Sequence, residues 1–306
     1  MLITLYRYQL PLTFPLTIND ATVVVREGFY VKIDGHWSEV VAPLGEHNAA
    51  VEQDLRAATA RLRQGLPHEA KLPAVQFGLD CAQAKISSMP LSASASLPLL
   101  EGPRDPLVRA WRCRRIHPER AWLTLTGDVH YDAGLIRELC MLAPKVRLVL
   151  DAGARLNSEQ IIDLWSRIEI GRIDWLLDPT PKLSEAQTLS KQYSMPVALD
   201  WARYSSFAPA AAADLSDAEF AKAVIVRPAQ LGGLSRNQKL VAQAHALGLE
   251  VMLGDSLQSG LGQHQLAHLS HQWLPDAPLA LGRCRYLLDS GVDDRGKPKI
   301  AGLTPL

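Results

Sequence analysis

The chain has 306 residues, of which 47% are hydrophobic, and its 32 basic side chains balance 32 acidic ones. That apolar share belongs to a folded globule and excludes a disordered chain. The zero net charge provides no field to recruit nucleic acid or an anionic membrane, so the expected partner is a small molecule.

Residues 1 to about 40 alternate in strand fashion through LITLYRYQLPL and TVVVREGFYVKI, with Asn19 and Asp20 between the runs and Asp34-Gly35 after them. This predicts an antiparallel meander. Over 48–65 and 73–87 the apolar residues recur at three- and four-residue spacing, which predicts two helices. The segment SSMPLSASASLP at 87–98 has no period and predicts a boundary between two units.

From about residue 120 the pattern becomes strand, helix, strand. Strands are expected to end near 126, 151, 178, 200, 227 and 254, with helices over 132–143, 157–168, 183–193, 216–222, 234–247 and 259–272. Four strands are short apolar runs that close on a charge: LVLD at Asp151, WLLD at Asp178, VALD at Asp200 and VIVR at Arg227, spaced by 27, 22 and 27 residues. Strict alternation predicts a parallel sheet, and this many units favours closure into a barrel. An open doubly wound sheet would want a glycine-rich phosphate turn near its first strand, and none is present. A buried parallel strand that ends in a charge places that side chain at a barrel's active-site mouth. The tail GVDDRGKPKIAGLTPL is polar and turn-rich and is expected to return to the N-terminal unit. The predicted fold class is α/β: a modified (β/α) barrel over 96–289 with an α+β capping domain over 1–95, onto which 290–306 packs.

Cys81, Cys113, Cys140 and Cys284 are scattered without a Cys-x-x-Cys pair and read as reduced thiols, mostly buried. MLITLYRYQLPLTF lacks the basic lead and long apolar core of a signal peptide, and no run is long enough to cross a bilayer, so the expected location is cytoplasmic. The basic run RAWRCRRIHPER at 109–120 reads as a solvated or inter-subunit surface rather than an RNA site, in either a monomer or a homo-oligomer. His264 and His268 lie one helical turn apart, but no Glu follows His264 as a zinc protease needs, and they read as a helix surface.

REGFYVKI at 26–33, VQFGLDCAQAKI at 75–86, LDAG at 150–153, VIVRPAQLGGL at 224–234 and ALGLEVMLGDSLQSGLGQHQLAHL at 246–269 carry a resemblance that covers nearly the full length. The chain resembles the enolase superfamily and, within it, the o-succinylbenzoate synthase family. The resemblance implies an enolase-type barrel of seven βα units and a final strand. It also implies a magnesium-dependent syn-dehydration of a succinylated cyclohexadiene carboxylate, a carbon–oxygen lyase step of menaquinone synthesis. Asp151, Asp178 and Asp200 stand at the family's metal positions, with Asp178 where glutamate is usual. Read on their own, these aspartates suit either a Mg2+ site or caps for the helices that follow.

At the family's Lys-x-Lys strand this chain reads AWLTLTG, with Leu123 and Leu125, or Thr124 and Thr126 after a one-residue slip. No lysine lies between Lys85 and Lys145. Arg227 replaces the lysine of the opposite face; a guanidinium holds a carboxylate but stays protonated and cannot serve as a base. An ion pair with Asp200 or Asp178 is the other reading of Arg227. The segment GDSLQSGLG at 254–262 opens a helix and reads as a small-anion site. There Gly254, Asp255, Ser256 and Ser259, with Arg227, are expected to bind a small-molecule carboxylate. Pro43-Leu44-Gly45 reads as a mobile lid or a surface turn. Two functions follow: an o-succinylbenzoate synthase-like lyase, or a non-catalytic homologue that binds a metal or a carboxylate or serves as a partner subunit.

Overall fold

Alternation gives the first two strands two apolar faces instead of one. In this computed structural model, which describes residues 1–18, 21–44, 48–86, 96–205 and 214–306, β1 (Ile3–Ile18) pairs antiparallel with β2 (Ala21–Ile33), and β2 with β3 (His36–Val40). Asp34 and Gly35 both take positive φ, 46° and 92°, the conformation a two-residue hairpin turn requires. Odd-numbered residues Ile3, Leu5, Phe29, Val31 and Ile33 form one core with Val51, Leu55, Ala58 and Leu62 of α1 (Asn48–Arg63) and Val75, Leu79 and Ala82 of α2 (Pro73–Gln83). Even-numbered Tyr8, Leu10 and Tyr30 form a second core with Leu261, Leu287 and Val292. A two-residue period therefore serves two hydrophobic layers.

The remaining elements run in alternation: β4 (Leu99–Leu100), α3 (Arg104–Arg112), β5 (Arg120–Thr124), α4 (Val129–Leu142), β6 (Arg147–Asp151), α5 (Ser158–Arg167), β7 (Ile173–Leu177) and α6 (Leu183–Tyr193). They continue with β8 (Val197–Asp200), α7 (Trp201–Ser205), β9 (Ala223–Val226), α8 (Pro228–Leu231), α9 (Leu234–Ala246), β10 (Glu250–Leu253), α10 (Gly260–Trp273) and β11 (Thr304–Pro305). Strands β4 to β10 form one parallel sheet in chain order, and β8 and β9 are buried along their whole length. The tail strand β11 pairs with β1 through Tyr6 and Arg7. By its contacts the chain divides into Met1–Ser96 with Val226–Ala242 and Met252–Leu306, and Leu97–Ile225 with Gln243–Val251.

Several sequence expectations are displaced. Residues 104–112, for which the sequence pattern predicts no element, form a helix that runs into the first residues of the basic stretch; its Leu107, Val108 and Trp111 are buried, with the Trp111 indole donating to the Leu139 carbonyl at 3.2 Å. The arginines hide that apolar stripe in the sequence. The helix expected at 216–222 shrinks to a single 3-10 turn at Ser216–Ala218. Asn19, Asp20, Gly45 and residues 87–95 lie outside the described residues, so the first turn, the lid glycine and most of the expected boundary segment do too. No helix among the described residues is long and apolar enough to cross a membrane.

One buried carboxylate organises the first unit. Glu39, on β3 and 1% exposed, accepts from the Tyr8 hydroxyl, from the Ser259 N–H and hydroxyl at 2.9 and 2.8 Å, and from the Gly262 N–H at 2.8 Å. Position 262 must be glycine, because a Cβ there would collide with Glu39 Oε2. Arg26, also buried, donates to the carbonyls of Ala42, Ser256 and Leu257 at 2.6, 3.0 and 2.9 Å. Burial pushes the Glu39 carboxyl above its ordinary value of 4.5, while the donors of Ser259 and Tyr8 and the charge of Arg26 pull it back without prevailing. Glu39→Gln replaces one carboxyl oxygen with an NH2 that cannot accept from Ser259 or Gly262, and is expected to cost about 1–3 kcal/mol in urea denaturation. A folded-state value above the unfolded one means that the wild-type advantage is largest below the ordinary glutamate value and shrinks as pH rises through the folded one. An advantage that grows with pH would contradict this assignment.

Candidate active site

The strand-end aspartates of the second unit are buried together. Asp151, Asp178 and Asp200 are 6, 1 and 5% exposed and stand at the C-terminal ends of β6, β7 and β8. The Asp151 carboxylate accepts from the Gly153 N–H at 2.9 Å and from the Trp122 indole at 3.2 Å. Asp178 takes a left-handed φ of 46°, a conformation aspartate tolerates better than most side chains, and its Oδ1 accepts the Asp200 N–H at 2.8 Å. Asp200 Oδ1 in turn accepts the Ala202 N–H at 3.2 Å, so of the three only Asp200 also caps the helix that follows it. The side chain that caps α5 is Asn157.

Sequence reasoning missed Arg203. Helix α7 begins directly after Asp200, so its third residue folds back and Arg203 Nε–H donates to Asp178 Oδ2 at 2.8 Å. The guanidinium sits in the field of all three carboxylates, Asp178 most and then Asp200 and Asp151, and this raises its already high pKa against the opposing effect of burial. Burial, followed by the charge of Asp200, pushes the Asp178 carboxyl up to about 8. The Tyr204 hydroxyl donates to the Thr180 carbonyl at 3.0 Å and fastens the same short helix to the loop after β7. A basic residue three positions after a strand-end acid is the signal that was available. Among the described residues no three His, Cys, Asp or Glu side chains are arranged to hold a metal ion.

The face of β5 toward Asp151 is set by Trp122. Because its indole reaches that carboxylate, residues 122 and 124 share the face and Leu123 lies on the other. Leu123 and Leu125 are each 1% exposed and pack as core. Thr126 lies beyond the strand, where its hydroxyl donates to Asp132 at 2.9 Å. The second unit's lysines, Lys145, Lys182, Lys191 and Lys222, are all exposed. Lys145 and Lys222 precede β6 and β9, at the opposite strand ends from the aspartates, and Lys182 pairs with Glu185 at 3.2 Å.

The expected anion segment lies in the first unit. Ser259 sits at the start of α10, where its N–H and hydroxyl serve Glu39, so the protein's own carboxylate fills that helix start. The Gly254 N–H donates to the Val226 carbonyl at 2.9 Å. Asp255 is fully buried and accepts from the Leu257 N–H, the Gln263 amide and the Arg283 N–H at 3.2, 3.1 and 3.3 Å. The Ser256 hydroxyl accepts from Gln230 at 3.0 Å and keeps its own proton to donate. Arg227, 6% exposed, directs its guanidinium to the Asp255 carbonyl.

Comparison with known proteins agrees with this layout. The family described as "Enolase C-terminal domain-like" matches residues 107–281, and "MenC, N-terminal domain" matches residues 2–86. The o-succinylbenzoate synthase of Edwardsiella ictaluri is 29% identical over 301 residues, covering 91% of this chain and 88% of that protein. That of Yersinia pseudotuberculosis is 29% identical over 291 residues, covering 90 and 87%. Among solved structures, the o-succinylbenzoate synthase of Thermosynechococcus elongatus, complexed with magnesium in its active site, has a TM-score of 0.72 at 19% identity and coverages of 94 and 95%. The L-Ala-D/L-Glu epimerase of Bacillus subtilis has a TM-score of 0.76 at 17% identity and coverages of 96 and 92%. At those identities the structural likenesses speak for the fold alone. The chain belongs to the enolase superfamily and, within it, is similar to the o-succinylbenzoate synthases.

Proposed function

We propose that this chain is an o-succinylbenzoate synthase-like member of the enolase superfamily that binds a small carboxylate and does not abstract a proton from carbon. The observation that supports this reading is the β5 face beside Asp151, which carries the Trp122 indole and Thr124. Neither group takes a proton from a carbon acid near neutral pH, because a general base needs a pKa tunable toward the working pH. Arg227 stands where the family has lysine, and a guanidinium does not give up its proton.

Magnesium is the ion in the related Thermosynechococcus elongatus structure. Three aspartates offer the oxygen ligands a hard cation wants. Their arrangement here does not suit the ion: both Asp178 oxygens already accept hydrogen bonds, one of them from a guanidinium. For the ligand, Arg227 and the Ser256 hydroxyl are the groups with chemistry suited to a carboxylate, whereas the Gly254, Asp255 and Ser256 N–H groups already donate to Val226, Ala280 and Gln258. Ser259 contributes by holding Glu39. The second reading, a magnesium-dependent lyase with a base of another kind, is favoured by 29% identity over nine-tenths of the chain.

A turnover assay separates the two. Purified protein with magnesium and the succinylated cyclohexadiene carboxylate is expected to show no rate above buffer; a rate that Asp151→Asn abolishes would establish the lyase instead. For the binding role, calorimetry with o-succinylbenzoate is expected to give a saturable isotherm that Arg227→Gln weakens by about tenfold or more, the scale of one lost charge-assisted hydrogen bond. No saturable binding by the wild type would remove the carboxylate assignment.

A further inference from the structure

The second unit buries three strand-end carboxylates, and a guanidinium is set against the most buried of them, Asp178. We propose that Arg203 is the resident cation of this centre: its guanidinium occupies the ground among Asp151, Asp178 and Asp200 that a divalent ion would need, and it keeps magnesium out. The inference goes beyond the functional reading, since it concerns what balances the carboxylates and is read out by metal uptake alone.

Three observations carry it. First, Arg203 Nε–H meets Asp178 Oδ2 at 2.8 Å, and the Asp178 side chain is 1% exposed, so the carboxylate end of the pair is withdrawn from water. Second, the other Asp178 oxygen accepts the Asp200 N–H at 2.8 Å, which turns the carboxylate's second edge toward backbone. Third, the arm is fastened at its base: α7 starts at Trp201, and Tyr204 binds the Thr180 carbonyl at 3.0 Å, anchoring this turn to the β7 strand end. A metal ion would have to displace a cation that is covalently tethered three residues from one of its own ligands. The Arg203 side chain is 44% exposed, so displacement is sterically open and the barrier is electrostatic.

Magnesium chloride alone, titrated calorimetrically into the full chain, is the test. Wild type is expected to give no saturable heat at millimolar magnesium. Arg203→Gln is expected to gain saturable binding, tighter by roughly ten- to thousandfold, the factor by which an adjacent unit charge alters a carboxylate's affinity for a cation such as a proton. Adding Asp151→Asn should remove that gain. Should Arg203→Gln melt early or fail to fold, magnesium is expected to restore its thermal transition. Saturable magnesium binding by wild type that Arg203→Gln does not tighten overturns the proposal. So does a folded Arg203→Gln protein that takes no magnesium, or an unfolded one that magnesium does not rescue. Because the readout is metal uptake rather than product, a failure here is distinct from turnover in the assay above.

Discussion

Carboxylates that converge in a buried place demand a cation, and much of the second unit's local geometry follows from that demand. Removing a carboxylate from water costs several kcal/mol even after relaxation, by the usual order of magnitude, and a second negative charge nearby adds to the cost. Asp151, Asp178 and Asp200 meet it with backbone N–H groups, an indole and one guanidinium. The left-handed turn at Asp178, the short helix after β8 and the Tyr204 anchor all place those donors. What remains uncompensated appears as the raised Asp178 carboxyl.

The first unit solves the mirror problem. A helix start leaves N–H groups without partners and favours negative charge, and α10 receives it from Glu39, on β3. The contact fixes a glycine at 262 by steric exclusion, and Arg26 is held nearby by the carbonyls of Ala42, Ser256 and Leu257. An apolar sheet face thus gains a specific register against one helix, because Ser259 and Gly262 meet the carboxylate only at one rotation of α10. The same carboxylate also answers the anion-binding potential that the segment 254–262 shows in sequence.

Legibility in the sequence tracked how local each signal is. Runs such as LVLD and VALD mark buried parallel strands because burial and period act within five residues, and Asp151, Asp178 and Asp200 came from the same pattern. The partners of those residues depend on chain reversals that periodicity does not encode. Arg203 reads as an ordinary charge on a short stretch until α7 turns it toward β7. Glu39 reads as one polar residue in HWSEVV, and its helix partner is more than two hundred residues away. Helix α3 was obscured for a different reason: in nine residues its three arginines and a proline interrupt the three apolar residues that carry the packing.

The two arginines at positions of interest share one chemical property. A lysine amine can lose its proton when buried and so can alternate between holding charge and accepting hydrogen; a guanidinium keeps its charge in either setting. Arg227, buried against the Asp255 carbonyl, and Arg203, set on Asp178, are therefore fixed cations. A fixed cation tethered beside its carboxylates competes at high effective concentration with any ion from solution. On the proposed reading, such a centre gives up metal occupancy and keeps a fixed positive charge beside its carboxylates. A constant field suits recognition of an anion better than the exchange of protons with carbon, which is why the charge arrangement and the absence of an amine on the β5 face point in the same direction.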